Sequence, residues 1–184
     1  MTALVPADNI AAVEALDPVA REVAVTHMLS EARSWLAHAV EATEPASIAN
    51  FKAYVSSIEY MTKQLGLSKE IQQDAQAMVR RAERGVSEAV REGQDEGSIA
   101  RRADHPFHGN QYAPAEVLGQ NSSTSPRQFF SNAQEWSDSN QLADATEEEF
   151  EEALAEAKDE GNMSRANVVR KIKEKAAPPP NQVT

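Results

Sequence analysis

Apolar residues recur every three or four positions along much of this sequence, which is the spacing of one buried helix face. The first such segment begins at Asp17-Pro18, because Asp17 suits an N-cap and Pro18 suits the first helical turn. Its apolar positions are Met28, Leu29, Ala32, Trp35, Leu36, Ala39 and Val40. The pattern predicts a helix to about Glu41, preceded by a flexible lead-in at residues 1–16 that is either loose or weakly helical.

Two more helices are predicted before residue 95. Glu44-Pro45 interrupts the pattern and restarts it, and Gly66 ends the second helix. Its heptad-like, coiled-coil-type stripe is Ile48, Phe51, Val55, Ile58, Met61 and Leu65. Ser68 caps the third helix, whose stripe is Ile71, Ala75, Met78, Ala82, Val86, Ala89 and Val90. Short connections favour antiparallel neighbours, so residues 17–94 are predicted to form a helical hairpin or three-helix unit, which a second copy could complete as a homodimer.

The third predicted helix also carries a face of alternating charge. Its basic residues are Arg80, Arg81, Arg84 and Arg91, interleaved with Glu83, Glu88 and Glu92. Such spacing favours ion pairs within the helix. We interpret this face as solvated, with nucleic-acid phosphate contact as the alternative.

The helical pattern stops where glycine, proline and asparagine become frequent, and residues 95–113 are predicted to be a linker. The linker contains His105-Pro106-Phe107-His108. Two histidines three apart can bind a metal on a helix, but Pro106 disfavours a helix and no cysteine supplies further ligands. We interpret the segment as a loop whose Phe107 packs on the helices, and its role stays open.

Residues 114–176 are predicted to form a small domain like a helix-turn-helix. A short helical turn at 114–119 is followed by a polar loop, and Ser125-Pro126 then opens a helix with Phe129, Phe130, Ala133 and Trp136 inward. Arg127 and Gln128 would face a DNA groove. Another loop is predicted at 137–145, and the proline-rich residues 177–184 are predicted to be a flexible tail.

The end of this domain is an acidic helix, a Gly161-Asn162 turn and a basic helix. Thr146 and Glu149 form a capping box at the start of the acidic helix. Val168, Val169 and Ile172 make the buried stripe of the basic helix. The residues predicted to face outward and bind DNA are Ser164, which caps the helix, Arg165, Asn167, Arg170, Lys171 and Lys173. Arginine and lysine would contact phosphates, and Asn167 could reach a base edge.

Composition supports an all-α fold. Only 5% of the 184 residues are aromatic, and much of the 41% hydrophobic content is alanine, whereas strands favour β-branched and aromatic residues. The net charge of −11 argues against nucleic-acid binding by the whole surface, so any such contact requires a local basic face.

The sequence offers no candidate active site. No cysteine is present, no phosphate-binding glycine loop occurs, and the carboxylates fall on exposed helix faces. We therefore expect no enzymatic activity, no cofactor and no metal. No stretch resembles a signal peptide or approaches the ~20 apolar residues of a membrane span, so we expect a cytoplasmic protein that does not bind membranes.

Several segments together resemble a group of small, mostly uncharacterised proteins of actinobacterial phages and related mobile elements. The resemblance covers about residues 47–175. It lies in Glu70-Ile71 with Met78-Val79-Arg80-Arg81-Ala82-Glu83-Arg84, in the stretch 147–154 (EEEFEEAL), and in the stretch 164–173 (SRANVVRKIK). The closing helix is also similar to segments of ParB-type partition proteins. The resemblance implies a DNA-binding or regulatory protein, with a helix-turn-helix, in the cytoplasm of a host bacterium.

Two functional hypotheses follow. In the first, the chain is a phage or mobile-element regulator of transcription that contacts DNA with its C-terminal helices and self-associates, or binds a partner, through its N-terminal helices. In the second, it is an acidic helical protein that binds a host or phage protein and touches no nucleic acid. They differ in whether the basic residues of the last helix are free or neutralised by the acidic helix.

Overall fold

The structure, a computed structural model, describes residues 8–41, 43–99 and 125–176, and in these ranges it is all-helical, as predicted. The seven α-helices of the described residues are α1 (Asp8–Glu14), α2 (Pro18–Glu41), α3 (Pro45–Gln64), α4 (Lys69–Asp95), α5 (Ala133–Asp144), α6 (Glu147–Asp159) and α7 (Arg165–Ala176). A 3₁₀ helix, Pro126–Gln128, precedes α5. None of the described helices has the length and apolar character needed to span a bilayer.

The predicted three-helix unit is confirmed: α2, α3 and α4 pack on one another. The Asp17 carboxylate caps α2 by accepting the amides of Val19 and Ala20, each at 3.0 Å. The apolar stripes meet in two clusters. Buried members of these clusters include Leu29, Leu36, Ile48, Phe51, Val55, Ile58, Met61, Met78, Val86 and Val90.

Helix α4 is shared by both halves of the chain. Phe130 and Trp136, from beyond residue 124, join the cluster formed by α2, α3 and α4. Ala77 of α4 joins the cluster of α5, α6 and α7 around Leu142, Phe150 and Val168. The helices on either side of the predicted linker at 95–113 therefore share a core through α4. Most of that linker, the His105–His108 loop, the predicted turn at 114–119 and the tail at 177–184 lie outside the described residues.

The lead-in, predicted to be loose or weakly helical, contains the regular helix α1 at residues 8–14. Val13 is buried beside Val25 and Leu29 of α2. The sequence of this region lacks an obvious cap, but burial of one valine against α2 is enough to hold a short helix, because tertiary packing supplies most helical stability.

The predicted helix at Ser125-Pro126 was also placed wrongly. It is limited to the three-residue 3₁₀ turn, and α5 begins at Ala133, where the Asn132 side chain accepts the Glu135 amide at 2.8 Å. Phe130 and Trp136 are buried, but Ala133 is exposed. The loop predicted at 137–145 is mostly helix, because Trp136, Ser139 and Leu142 continue a buried stripe. Since residues 100–124 are not among the described residues, a helix-turn-helix stays a prediction.

The acidic helix, the turn and the basic helix occur as predicted. Thr146 and Glu149 form the capping box of α6. Gly161 adopts a φ of 72°, its amide reaches the Lys158 carbonyl, and the Asn162 amide reaches that of Ala157 at 3.0 Å. These two bonds form the Schellman cap that returns the chain toward α7. The Ser164 hydroxyl then accepts a 3.4 Å hydrogen bond from the Asn167 amide.

Candidate functional site

The predicted DNA-contacting residues lie on two separate segments. Arg127 and Gln128 are exposed in the 3₁₀ turn. The other six lie on the predicted basic helix: Ser164 is its cap, and the remaining five belong to α7. Their side chains do not all face outward, as the prediction had it, and the reason is the position of α6 and α4 beside α7.

Lys171 was predicted to face solvent and is instead only 5% exposed. Its ammonium donates to Glu160 at 2.7 Å and to Glu156 at 3.3 Å. One turn further, Lys175 lies 2.7 Å from Glu156 and 2.9 Å from Glu152. Two lysines of α7 are therefore held against a row of carboxylates on α6.

Asn167 was predicted to reach a base edge, but it is 7% exposed. Its amide donates to the Glu160 carboxylate at 3.1 Å and to the Asn162 carbonyl at 2.9 Å. Its oxygen accepts from Arg170 at 2.7 Å. Both polar atoms of this side chain are engaged within the turn between α6 and α7, so the side chain serves local structure.

Arg170 is half-exposed and also paired, to Glu174 at 2.5 Å and to Glu160 at 3.5 Å. Lys173 is exposed and forms no ion pair with any described residue. Residues 147–176 contain nine acidic and six basic residues. The outward surface of α6 and α7 is accordingly anionic on balance, with Lys173 as the basic side chain of α7 that the described residues leave unpaired.

Arg165 turns inward, away from the face it was predicted to occupy. Its guanidinium forms a two-pronged contact with Glu83 of α4, in which Nε donates at 3.1 Å, and it lies 3.4 Å from Glu135 of α5. Glu83, only 1% exposed, also accepts from Arg80 at 2.5 Å.

These contacts belong to a chain of five charges, which we call the buried charge network. Its members are Lys52, Glu135, Arg165, Glu83 and Arg80. They come from α3, α4, α5 and α7, so the network ties four helices together. Sequence reasoning missed Glu83 and Glu135 as interior residues. The available signal was that Glu83 falls at helical spacing between Val79 and Val86, on a side of α4 that is otherwise apolar.

The neighbouring charges shift several pKa values. Burial opposes ionisation of Glu135, but hydrogen bonds from Lys52 and Ser131 outweigh it and lower its pKa. The hydrogen bonds that Arg165 donates to Glu83 raise the pKa of Arg165. Burial lowers the pKa of Arg80. Lysine hydrogen bonds lower the pKa values of Glu156 and Glu160.

The α6–α7 pairs should make stability depend on pH. A carboxyl whose pKa is lowered by folding stabilises the fold above its ordinary value, here 4.5, and that contribution disappears as pH falls through the lower folded value. We expect the urea midpoint to fall on acidification below about pH 4.5, and to fall less in a Glu156→Gln, Glu160→Gln double variant. Equal acid sensitivity of wild type and variant, followed by circular dichroism, would exclude this contribution.

The arginines of α4 were predicted to form a solvated face with pairs inside the helix. Such pairs exist, as between Arg84 and Glu88 at 3.0 Å. However, Arg81 forms two hydrogen bonds with Glu151 of α6, at 2.7 and 2.6 Å, Arg84 reaches Glu147, and Arg91 reaches Asp144 at 2.7 Å. This side of α4 therefore holds α5 and α6 in place.

The surface of α2 differs from the rest of the chain. Val19 and Val23 are 74% and 65% exposed and lie four residues apart. Among the exposed side chains of the stretch 18–30, none is a carboxylate, a lysine or an arginine. We call this the outer face of α2. Such a stretch stands out on a chain in which 26% of residues are charged, and neighbouring exposed apolar side chains are a surface that another protein can cover.

Comparison with protein-family models, with curated proteins and with solved structures found no match to this chain. Its function must therefore be argued from the geometry. Among the described residues, no group of three histidine or acidic side chains is arranged to hold a metal ion.

Proposed function

We propose that this chain is a helical protein-interaction protein that binds a partner protein without contacting nucleic acid. The observation that carries the proposal is the engagement of α7: Arg165, Arg170, Lys171 and Lys175 are each paired with carboxylates of the same chain. A phosphate backbone would have to displace these carboxylates from a molecule that already carries a net charge of −11. That competition makes DNA an unfavourable partner.

The outer face of α2 is the surface we assign to the partner. Its two valines are costly to leave in water, and covering them with a partner's apolar side chains would bury apolar area without desolvating a charge. Contact through the N-terminal helices was also the expectation from sequence. The partner's origin in a host bacterium or a phage rests on the sequence resemblance. Self-association through the N-terminal helices stays a prediction, and light scattering would test it by measuring the mass in solution.

A Val23→Glu variant tests the proposal. It places a carboxylate in the middle of the outer face of α2, where it would have to be desolvated on binding, so we expect loss of a stoichiometric partner captured from nuclease-treated host lysate. Tyr60→Glu is the matched control, because Tyr60 is a similarly exposed (63%) apolar side chain on another helix.

The outcome separates the alternatives. The proposal is supported if the partner is still captured after nuclease treatment, is lost in Val23→Glu and is retained in Tyr60→Glu. Capture that disappears with nuclease points to nucleic acid, and capture that is unchanged in Val23→Glu shows that the outer face of α2 is not the contact.

A further inference from the structure

A polar cavity of about 460 Å³ lies where α3, α4 and the beginning of α7 meet. Its charged and polar lining includes Glu59, Lys63, Gln76, Arg80, Ser164 and Arg165. This volume is within the range of small-molecule sites, roughly 300–1,000 Å³. None of these residues belongs to the outer face of α2, so the cavity is independent of the interaction proposed above.

The buried charge network ends at this cavity with an excess of positive charge. The network contains three cations but only two carboxylates, because Arg80 and Arg165 share Glu83, and Arg165 and Lys52 share Glu135. Glu59, the carboxylate of the lining, is itself engaged by Lys63 at 2.6 Å and by Gln76 at 3.3 Å. It therefore offsets only part of the positive charge of the two guanidiniums.

Arg80 shows most directly that a counterion is lacking. Its side chain is 11% exposed, and its buried Nε has no hydrogen-bond partner among the described residues. Burial is the main cause that lowers its pKa, and the nearby charge of Arg165 lowers it further, while Glu83 and Glu59 offset only part of this effect. Burying a guanidinium that shares its carboxylate with a second guanidinium costs free energy, and an anion in the cavity would reduce that cost.

The beginning of α7 adds to the positive electrostatic potential of the cavity. Ser164 and Arg165 line the cavity. The Asn167 amide is capped by Ser164, and the amides before it at the start of a helix have no acceptor within the helix and favour anions. Two guanidiniums and a helix N-terminus form a donor set suited to an oxyanion that can accept several hydrogen bonds at once. Lys63, which also pairs with Glu59, is a further cation at the rim.

We propose that this cavity binds a phosphate group, free or carried by a small molecule, with Arg80 and Arg165 as its main ligands and Lys63 at the rim. A phosphate offers more acceptor oxygens and more charge than a carboxylate, which matches the number of donors. In this proposal Arg80 and Arg165 keep their hydrogen bonds to Glu83, so binding adds a counterion without breaking the buried charge network.

A nuclear magnetic resonance titration of the ¹⁵N-labelled wild-type chain with inorganic phosphate tests the proposal without any substitution. We expect saturable amide shifts at Arg80 and at residues 164–166, complete below about 10 mM at constant ionic strength. Sodium chloride at the same ionic strength and acetate are the controls. A sugar phosphate that binds more tightly than inorganic phosphate would identify the ligand as a small molecule, and equal binding would favour free phosphate.

Variants make the test specific. Arg80→Gln and Lys63→Gln should each weaken phosphate binding, Arg80→Gln by about tenfold or more, since it removes a charged donor. Arg170→Gln is the matched control, because Arg170 is paired on the outer side of α7. Lys63 is half-exposed, so its variant remains informative if Arg80→Gln unfolds. Absence of saturable shifts, shifts located elsewhere, equal shifts with acetate, or equal affinity in wild type and Lys63→Gln would overturn the proposal.

Discussion

Replacing Glu83 with alanine is expected to lower the free energy of unfolding by about 3–5 kcal/mol. The substitution removes the carboxylate that Arg80 and Arg165 share. It leaves two mostly buried guanidiniums, with Glu135, 3.4 Å from Arg165, as the remaining carboxylate of the buried charge network near them. Removing one partner of a buried ion pair costs more than the pair contributes, because the remaining charge has already lost its water. The loss should affect the whole protein, since Glu83 connects α4 with α7.

Urea unfolding followed by circular dichroism measures this effect. Glu92→Ala is the matched control, because Glu92 is exposed on the same helix and should change stability by no more than about 0.5 kcal/mol. Glu83→Gln should lie between the two, since an amide keeps the hydrogen-bonding shape but loses the charge. A Glu83→Ala variant as stable as Glu92→Ala would show that the buried charge network does not hold the helices together.

The second prediction with a large expected effect is that the protein binds DNA very weakly. Proteins that bind DNA through 6–10 phosphate contacts commonly reach about 10⁻⁸ M at physiological salt, and non-specific binding still reaches roughly 10⁻⁴ to 10⁻⁶ M. On α7, the described residues leave Lys173 alone unpaired, which is enough for one contact. We therefore expect affinity below even the non-specific range, and a salt dependence too small to measure.

Much of the helical framework could be predicted from sequence because its signals are local. The Asp17 cap, the break at Pro45, the glycine at 66 and the Thr146–Glu149 capping box each act on backbone within four residues. The stripes of α2, α3 and α4 repeat often enough to identify their buried faces. Helix α5 was mistaken for a loop because Ser137, Asp138, Ser139 and Asn140 favour turns locally, while the burial of Ser139 and Leu142 against other helices outweighs that preference.

The candidate site was harder to predict because it depends on contacts between distant segments. Arg165 and Glu83 are 82 positions apart, and no local rule pairs them. Lys171 and Glu160 are 11 positions apart, across a turn whose direction is set by Gly161. The spacing of α7 does place Arg170 and Lys171 off its apolar stripe. Whether such residues meet solvent or a neighbouring acidic helix depends on how α6 and α7 pack, and periodicity does not encode that.

Whether the cations of α7 are available to DNA can be measured by fluorescence anisotropy of labelled duplex DNA, including phage genomic fragments, at about 50 and 200 mM salt. Three proteins suffice: wild type, Lys173→Ala, and the double variant Arg170→Ala, Lys171→Ala. If carboxylates of the same chain occupy these cations, all three should leave the anisotropy unchanged at both salt concentrations. Saturable binding by wild type at low salt, weakened in the double variant and with a smaller salt dependence there, would contradict that conclusion and restore α7 as a DNA-binding helix.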